Sequence, residues 1–330
     1  MKNDNRQGRH KKMGKKKIGD MMQGIIALIV IVVLCILINI GFKGKFLTGN
    51  NISALLAMAI IACFSAWAFC FIFACGYIDL SLGAILILVG NSAGELGNAF
   101  GVPGIILGGL AAGILLCGIN FSVYLYSKIP AWIAGLALCL IYEAIGAFYG
   151  KNAVANGGQV VLLREDLRGL ARAPWIYLIF AVALVAMYYF YNRSSLGLSM
   201  RALGGNRKVS EAMGIKTNKV ILLVALITGI MIGIGGFLTE SNNGQMLIRS
   251  GLKSLTQCLK PLSIYLMAAV LEKKINIIIA IPICAVLEFV LFNVLTLAGV
   301  PSGTLQDACS GLLIIIFGIF AQRGSKEVVK

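Results

Sequence analysis

A single histidine, His10, occurs in 330 residues, and it lies in a basic, polar N-terminal stretch. Any mechanism that needs an imidazole inside the apolar body is therefore excluded, which removes histidine-based nucleophile activation and most zinc chemistry. Acidic residues are also scarce: 13 Asp and Glu stand against 29 Lys and Arg, and charged residues make up only 13% of the chain. A water-soluble surface ordinarily needs about twice that share. No GxxxxGK[ST] loop occurs, so ATP binding of the P-loop kind is not expected in this chain. Gly90-Asn-Ser-Ala-Gly94 has the form of a GxSxG nucleophile turn, but neither a preceding strand nor a membrane-region histidine accompanies it. The nine cysteines (35, 63, 70, 75, 117, 139, 258, 284 and 309) are scattered singly, without a CxxC pair. They read as small buried apolar residues, and no metal site is expected.

What is present is hydrophobic. Apolar residues make up 59% of the chain and mean hydropathy is +0.90, so the bilayer is the solvent this sequence is built for. A net charge of +16 would suggest nucleic acid in a soluble protein. Here the basic residues cluster in short segments between apolar runs, which is a signal of membrane topology; lipid is the expected contact and nucleic acid is not.

Runs long enough to cross a bilayer fall at 24–42, 52–73, 82–98, 103–127, 131–149, 174–192, 220–239, 261–272, 275–297 and 303–321. They predict an all-α polytopic membrane protein of about ten transmembrane helices. With the N-terminus inside, 20 of the 29 basic residues fall on the cytoplasmic side, and both termini are cytoplasmic. The first run is too long for a secretory signal and is followed by no small-residue cleavage site, so it is expected to be retained. The predicted layout is a basic cytoplasmic tail over 1–23, a transmembrane domain over 24–322 with its longest inner loop at 193–219, and a short cytoplasmic tail over 323–330. The outer connection at 150–173 reads equally as a docking surface or a solvated connector.

Polar residues in this apolar setting are the candidates for function. Gly76-Tyr-Ile-Asp-Leu-Ser-Leu-Gly83 places Asp79 and Ser81 between two long apolar stretches, flanked by Gly76 and Gly83. A carboxylate at bilayer depth costs roughly 2.5–3.5 kcal/mol on insertion scales, so it should face a cavity or a partner. The glycines suggest a helix break beside a translocation pathway, and Asp79 and Ser81 both suit capping of the next helix. In the inner loop, Asn206 can cap a short helix from Arg207 to Met213 and Gly214 can end it in the left-handed conformation. Such a helix suits either force transmission to a motor or an ordinary surface loop. Asn91, Asn120, Glu143 and Glu288 are candidates for lining a polar path, with Ser122, Asn293, Glu95 and Glu240 also within or near apolar segments. The spacings Gly104/Gly108, Gly109/Gly113 and Gly229/Gly233 predict close helix packing.

These segments resemble the permeases of bacterial ribose/xylose-type ABC importers, related to the branched-chain amino-acid permeases. The family's GGIDLSVG stretch is similar to Cys75-Gly-Tyr-Ile-Asp-Leu-Ser-Leu-Gly83, and its A-x-G-G-N…G-I motif to Ala202-Leu-Gly-Gly-Asn206 through Gly214-Ile215. The resemblance spans about residues 50–322. Tyr77 stands in place of a family glycine, and Val209, Ser210 and Glu211 in place of Ala-Ala-Arg. Leu259-Lys-Pro-Leu-Ser-Ile-Tyr-Leu replaces a glycine-rich stretch. The resemblance implies an importer-permease fold in the bacterial inner (plasma) membrane and transport by alternating access. It implies cytosolic ATPase subunits that hold the ATP and Mg, an extracytoplasmic solute-binding protein, and a second permease copy or paralogue. Gly204, Gly205, Asn206, Glu211, Gly214 and Ile215 would receive the motor's motion; Gly76, Asp79, Ser81 and Gly83 would shape the pathway. The chain itself would be a transport subunit for a sugar-like solute and not an enzyme. A proton- or sodium-coupled carrier using Asp79, Glu143 or Glu288 is the rival reading, and a degenerate permease homologue with a structural or regulatory role is a third.

Overall fold

The computed structural model describes residues 39–127, 129–155, 162–272, 274–300 and 303–326. Among them every regular element is a helix: α1 (Gly49–Ala74), α2 (Leu82–Phe100), α3 (Val102–Ser127), α4 (Ala131–Ala155), α5 (Trp175–Asn192), α6 (Ser195–Gly205), α7 (Arg207–Ala212), α8 (Thr217–Asn243), α9 (Thr256–Leu271), α10 (Ile277–Leu297) and α11 (Thr304–Lys326), with short 3-10 turns at Glu165–Ala171 and Lys253–Leu255. Helix is what hydrocarbon demands, since it satisfies backbone polar groups within one segment.

Seven described helices are long and apolar enough to cross a membrane: Gly49–Ala74, Val102–Ser127, Ala131–Phe148, Trp175–Asn192, Thr217–Asn243, Lys253–Leu271 and Ile277–Leu297. The expectation of about ten differs for identifiable reasons. Most of the run at 24–42, like the tail over 1–23 and residues 327–330, lies outside the described residues. The run at 82–98 is helical as α2 but is diluted by glycine, asparagine and Glu95, and in α11 the apolar part, Leu305–Ala321, is short.

The chain divides into two compact units. In the smaller, Met1–Ala54 with Phe292–Val300, Asn51 and Asn293 exchange amide hydrogen bonds of 3.0 and 2.8 Å. The larger, Leu55–Leu291 with Pro301–Lys330, holds the core and the features below. Its tightest packing runs between α3 and α8. A Cβ on Gly113 would overlap the backbone of Gly229 and Gly233, and one on Gly233 would crowd Gly109 and Leu110. Gly104 and Gly108 lie as closely on Leu96 and Ser92 of α2. The predicted glycine pairs are therefore packing surfaces, where small residues let backbones approach. Seven of the eight described cysteines are buried and all eight are free thiols, as expected of apolar fillers.

Pro282 interrupts α10 because it has no N–H for the Ile278 carbonyl. The buried Trp67 of α1 supplies the missing donor, its Nε1 reaching that carbonyl at 3.2 Å. Pro261 falls inside α9 and not at its start, so the helix begins at Thr256, five residues earlier than the apolar run suggested. The described part of the 150–173 connection is docked: Ser241 Oγ donates to the Leu167 carbonyl at 2.7 Å and accepts from Ala171 N, while Arg168 donates to the Asn243 carbonyl.

Candidate functional site: two helix breaks and a polar cavity

The first break, between α1 and α2, turns on Gly76, whose φ of +78° is costly for any residue with a Cβ. Asp79 is fully buried. Its Oδ1 accepts from Ser81 N at 2.8 Å and from Ser81 Oγ at 2.7 Å, and its Oδ2 accepts from Asn120 Nδ2 of α3 at 3.0 Å. Asn120 also bonds the Ser81 hydroxyl, and its Oδ1 accepts from Tyr142 Oη of α4 at 2.6 Å. The sequence offered both Asp79 and Ser81 for capping, and the structure separates their roles. Ser81, and not Asp79, holds the N-cap position of α2, and it makes no side-chain cap bond because its hydroxyl is taken by Asp79.

The second break, between α8 and α9, carries positive φ at Gly244, Gly251 and Leu252. Its carboxylate comes from α4. Glu143 Oε1 accepts from Ser254 N at 2.8 Å and Ser254 Oγ at 2.5 Å, and Oε2 accepts from Leu252 N at 2.7 Å. The two breaks meet at Gly83. Its N–H points at Cys258 Sγ at 2.9 Å, and a Cβ there would overlap the Ser254 carbonyl.

The connection over 193–219 forms α6 and α7. Asn206 Oδ1 accepts from Val209 N at 3.2 Å as the N-cap of α7, and Gly214 has φ +83°, both as expected from the sequence; the helix ends at Ala212, one residue short. Glu211 pairs with Arg207 at 3.0 Å and accepts from Thr217 Oγ1 at 3.0 Å. The bond from Arg207, then that from Thr217, lowers its carboxyl below the ordinary value. This segment touches the first break directly: Gly204 lies on Ala74 and Gly76 so closely that neither glycine has room for a Cβ without displacement. Arg207 Nη1 also donates to Tyr77 Oη at 3.4 Å, and Tyr77 stacks on Tyr124 with centroids 6.1 Å apart. Burial raises the Tyr77 phenol above its ordinary value, with Arg207 opposing. Gly205 is exposed and faces open space, and Ile215 is partly buried against the core.

A cavity of about 420 Å3 opens among α1, α2, α8, α9, α10 and α11, within the size range of small-molecule sites. Its polar wall includes Asn242, Arg249, Gln257, Lys260, Gln306 and Asp307; Met58, Ile61, Leu86 and Phe289 are among its apolar lining. Gln257 and Pro261 both line it, at the place where Pro261 offers the Gln257 carbonyl no donor.

None of the four expected pathway residues lines this cavity. Asn120 and Glu143 are consumed by the two breaks. Asn91 is buried, bonding the Ile87 carbonyl through Nδ2, and Glu288 accepts from Ser263 Oγ at 2.5 Å behind the wall. Depth in an apolar run selects residues that are packed among protein and bonded to it, whereas the polar residues of the cavity sit near helix ends. One signal was available: Lys260 and Gln257 belong to or adjoin the stretch where family glycines are replaced.

Sequence comparison matches residues 51–318 to the family described as branched-chain amino acid transport system / permease component. The ribose import permease protein RbsC of Escherichia coli strain K12 is 24% identical over 223 residues, covering 66% of this chain and 68% of its own. The fructose import permease protein FrcC of Rhizobium meliloti is 23% identical over 223 residues, 64% of this chain and 62% of that protein. The xylose transport system permease protein XylH of Haemophilus influenzae is 23% identical over 286 residues, 68% and 76% respectively. No solved structure matches significantly.

Proposed function

Because this chain belongs to the family of branched-chain amino acid transport system permease components, we propose that it is the membrane-spanning subunit of an ATP-driven importer for a sugar or sugar-like solute. The names of its ribose, fructose and xylose relatives support the solute class. The observation that carries the mechanism is the contact between inner loop and first break. A cytosolic segment held rigid by its Asn206 cap and Arg207–Glu211 pair bears on Gly76 through Gly204 and on Tyr77 through Arg207. Force applied to α7 therefore reaches the α1–α2 joint, which is bonded to α3 and α4 and abuts the second joint at Gly83. Both joints adjoin helices that line the cavity, so their displacement alters access to it, as alternating access requires.

In this reading the chain crosses the inner membrane about ten times with both termini in the cytoplasm. It leaves ATP hydrolysis, with its Mg, to cytosolic partner subunits, pairs with a second permease, and receives solute from an extracytoplasmic binding protein. Two of the three carboxylates of the carrier reading are engaged by protein: Asp79 and Glu143 each accept three hydrogen bonds that hold the side chain in place, whereas Glu288 accepts one, from Ser263.

The test is recovery of the tagged chain from its native membrane with mass-spectrometric identification of its partners, alongside Gly205→Arg. An added side chain at Gly205 meets open space, so the fold is kept while the loop surface changes. A P-loop ATPase bound to the wild type and lost from the variant is expected, with uptake that persists after collapse of the ion gradients. Uptake that stops on gradient collapse, with no ATPase recovered, would establish the carrier instead.

A further inference from the structure

The turn at 162–172 lies at the other end of α5 from α6 and α7, about 27 Å away for its 18 residues at 1.5 Å each. It is bonded to the ends of two helices. Asn98 of α2 donates through Nδ2 to the Leu162 carbonyl at 2.9 Å and accepts from Arg164 N at 3.0 Å. The end of α8 takes the remaining bonds: Leu163 N donates to the Gly244 carbonyl at 2.8 Å, Arg168 Nη2 donates to the Asn243 carbonyl at 3.0 Å, and Ser241 Oγ bonds both Leu167 and Ala171. The last carbonyls of a helix have no intrahelical donor, and a cation beside them is favourable. Arg168 is thus a cap for α8 that comes from 75 residues away. Gly244 makes room for it, because a Cβ there would overlap the guanidinium. The grip is made at a cost, since Arg168 Nε is buried and meets no acceptor among the described residues. Leu163, Leu167 and Ala171 are buried and anchor the turn beneath it.

The same end of α8 is a wall of the cavity. Thr239, Asn242 and Asn243 line it, and Asn242 Nδ2 donates to Asn243 Oδ1 at 3.2 Å, so both asparagines follow the backbone that Arg168 grips. From Gly244 to Leu252 the chain is not helical, so no further turn of α8 steadies that end. We propose that the turn at 162–172 is a positioning element of the cavity, and that Arg168 is the positioning residue that fixes its α8 wall. A segment outside the cavity then governs polar groups inside it, whichever solute the cavity takes; the inference goes beyond the sugar-permease reading and does not depend on it. Arg164 is the internal comparison: its guanidinium bonds Asp166 of the same turn and not α8.

The test uses the full chain in lipid nanodiscs and a water-soluble maleimide. Its rate of reaction is followed by mass spectrometry at Asn242→Cys and, separately, at Gln257→Cys, which lies in the α9 wall of the same cavity. Arg168→Met keeps the bulk and removes the donor; it should speed labelling at 242 about tenfold, the lower end for loss of a hydrogen bond from a charged group, and leave 257 within about twofold. Arg168→Lys should keep most of the slow rate, and Arg164→Gln should change neither position. Ser241→Ala removes two bonds of the turn without touching Arg168 and should also speed labelling at 242. It carries the test by itself if Arg168→Met is not recovered as monodisperse protein. An unchanged rate at 242 in the recovered variants overturns the proposal, as does a complete absence of labelling there. An equal rise at 242 and 257 also overturns it, because that marks general loosening and not the release of one wall.

Discussion

The two helix breaks solve one problem with carboxylates from opposite distances along the chain. Each joint leaves backbone N–H groups facing the start of a helix inside an apolar body, where an unsatisfied donor costs several kcal/mol. At the first joint the acceptor, Asp79, is two residues from Ser81 and needs no other helix to reach it. At the second the acceptor is Glu143, which α4 delivers across 111 residues to Ser254. A local acceptor forms with the turn; a distant one forms only when the bundle closes. The first joint thus has fallback partners in Ser81, Asn120 and Tyr142, whereas the Leu252 and Ser254 amides depend on one side chain.

The largest effect is expected where the joints touch. Gly83→Val would drive a side chain into the Ser254 carbonyl and Cys258, with no flexible neighbour to yield. Overpacking of this kind costs about 1–3 kcal/mol or more, and recovery of monodisperse protein in detergent should collapse, while Gly205→Ala should recover normally. Next comes the comparison itself. Glu143→Leu strands two backbone amides and a hydroxyl, at about 1–3 kcal/mol each, and should lower the thermal midpoint more than Asp79→Leu. Equal midpoints would refute the idea that the first joint has fallback bonding. A smaller effect belongs to the link behind Asp79: Tyr142→Phe removes one bond to Asn120, worth about 1 kcal/mol. In a double-mutant cycle it should be strongly non-additive with Asn120→Leu and additive with Glu211→Gln.

The smallest concerns the α6–α7 segment. The Glu211 carboxyl is lowered first by Arg207 and then by Thr217, so its contribution is present above the unfolded value of about 4.5. That contribution is lost as pH falls through the lower folded-state value. Amide exchange at 207–216, followed by mass spectrometry from pH 7 downward, should loosen in that window in the wild type and show no such step in Glu211→Gln.

Much of this was legible in advance because it is local. The Asp79–Ser81 turn, the Asn206 cap, the Gly214 terminus and the glycine pairs of α3 and α8 each depend on spacing of four residues or fewer. The cavity was not legible. Asn242, Arg249, Gln257, Lys260, Gln306 and Asp307 lie near the ends of three helices, and in the sequence they look like the polar residues any connection needs. Conversely, Asn91, Asn120, Glu143 and Glu288 stood out as polar residues in apolar runs, and the fold turned all four to protein partners.

By itself, then, the sequence determined that the chain lives in a bilayer as helices, where it breaks them, and where Asn206 caps a short helix. Hydropathy, glycine and capping act over one or two turns, and no partner is needed to express them. Tertiary structure alone decided which carboxylate serves which joint, that Trp67 completes the helix that Pro282 interrupts, and that Arg249 and Lys260 line a cavity. Each of those depends on the distance between side chains far apart in the chain, and burial makes that distance decisive by removing water as the alternative partner.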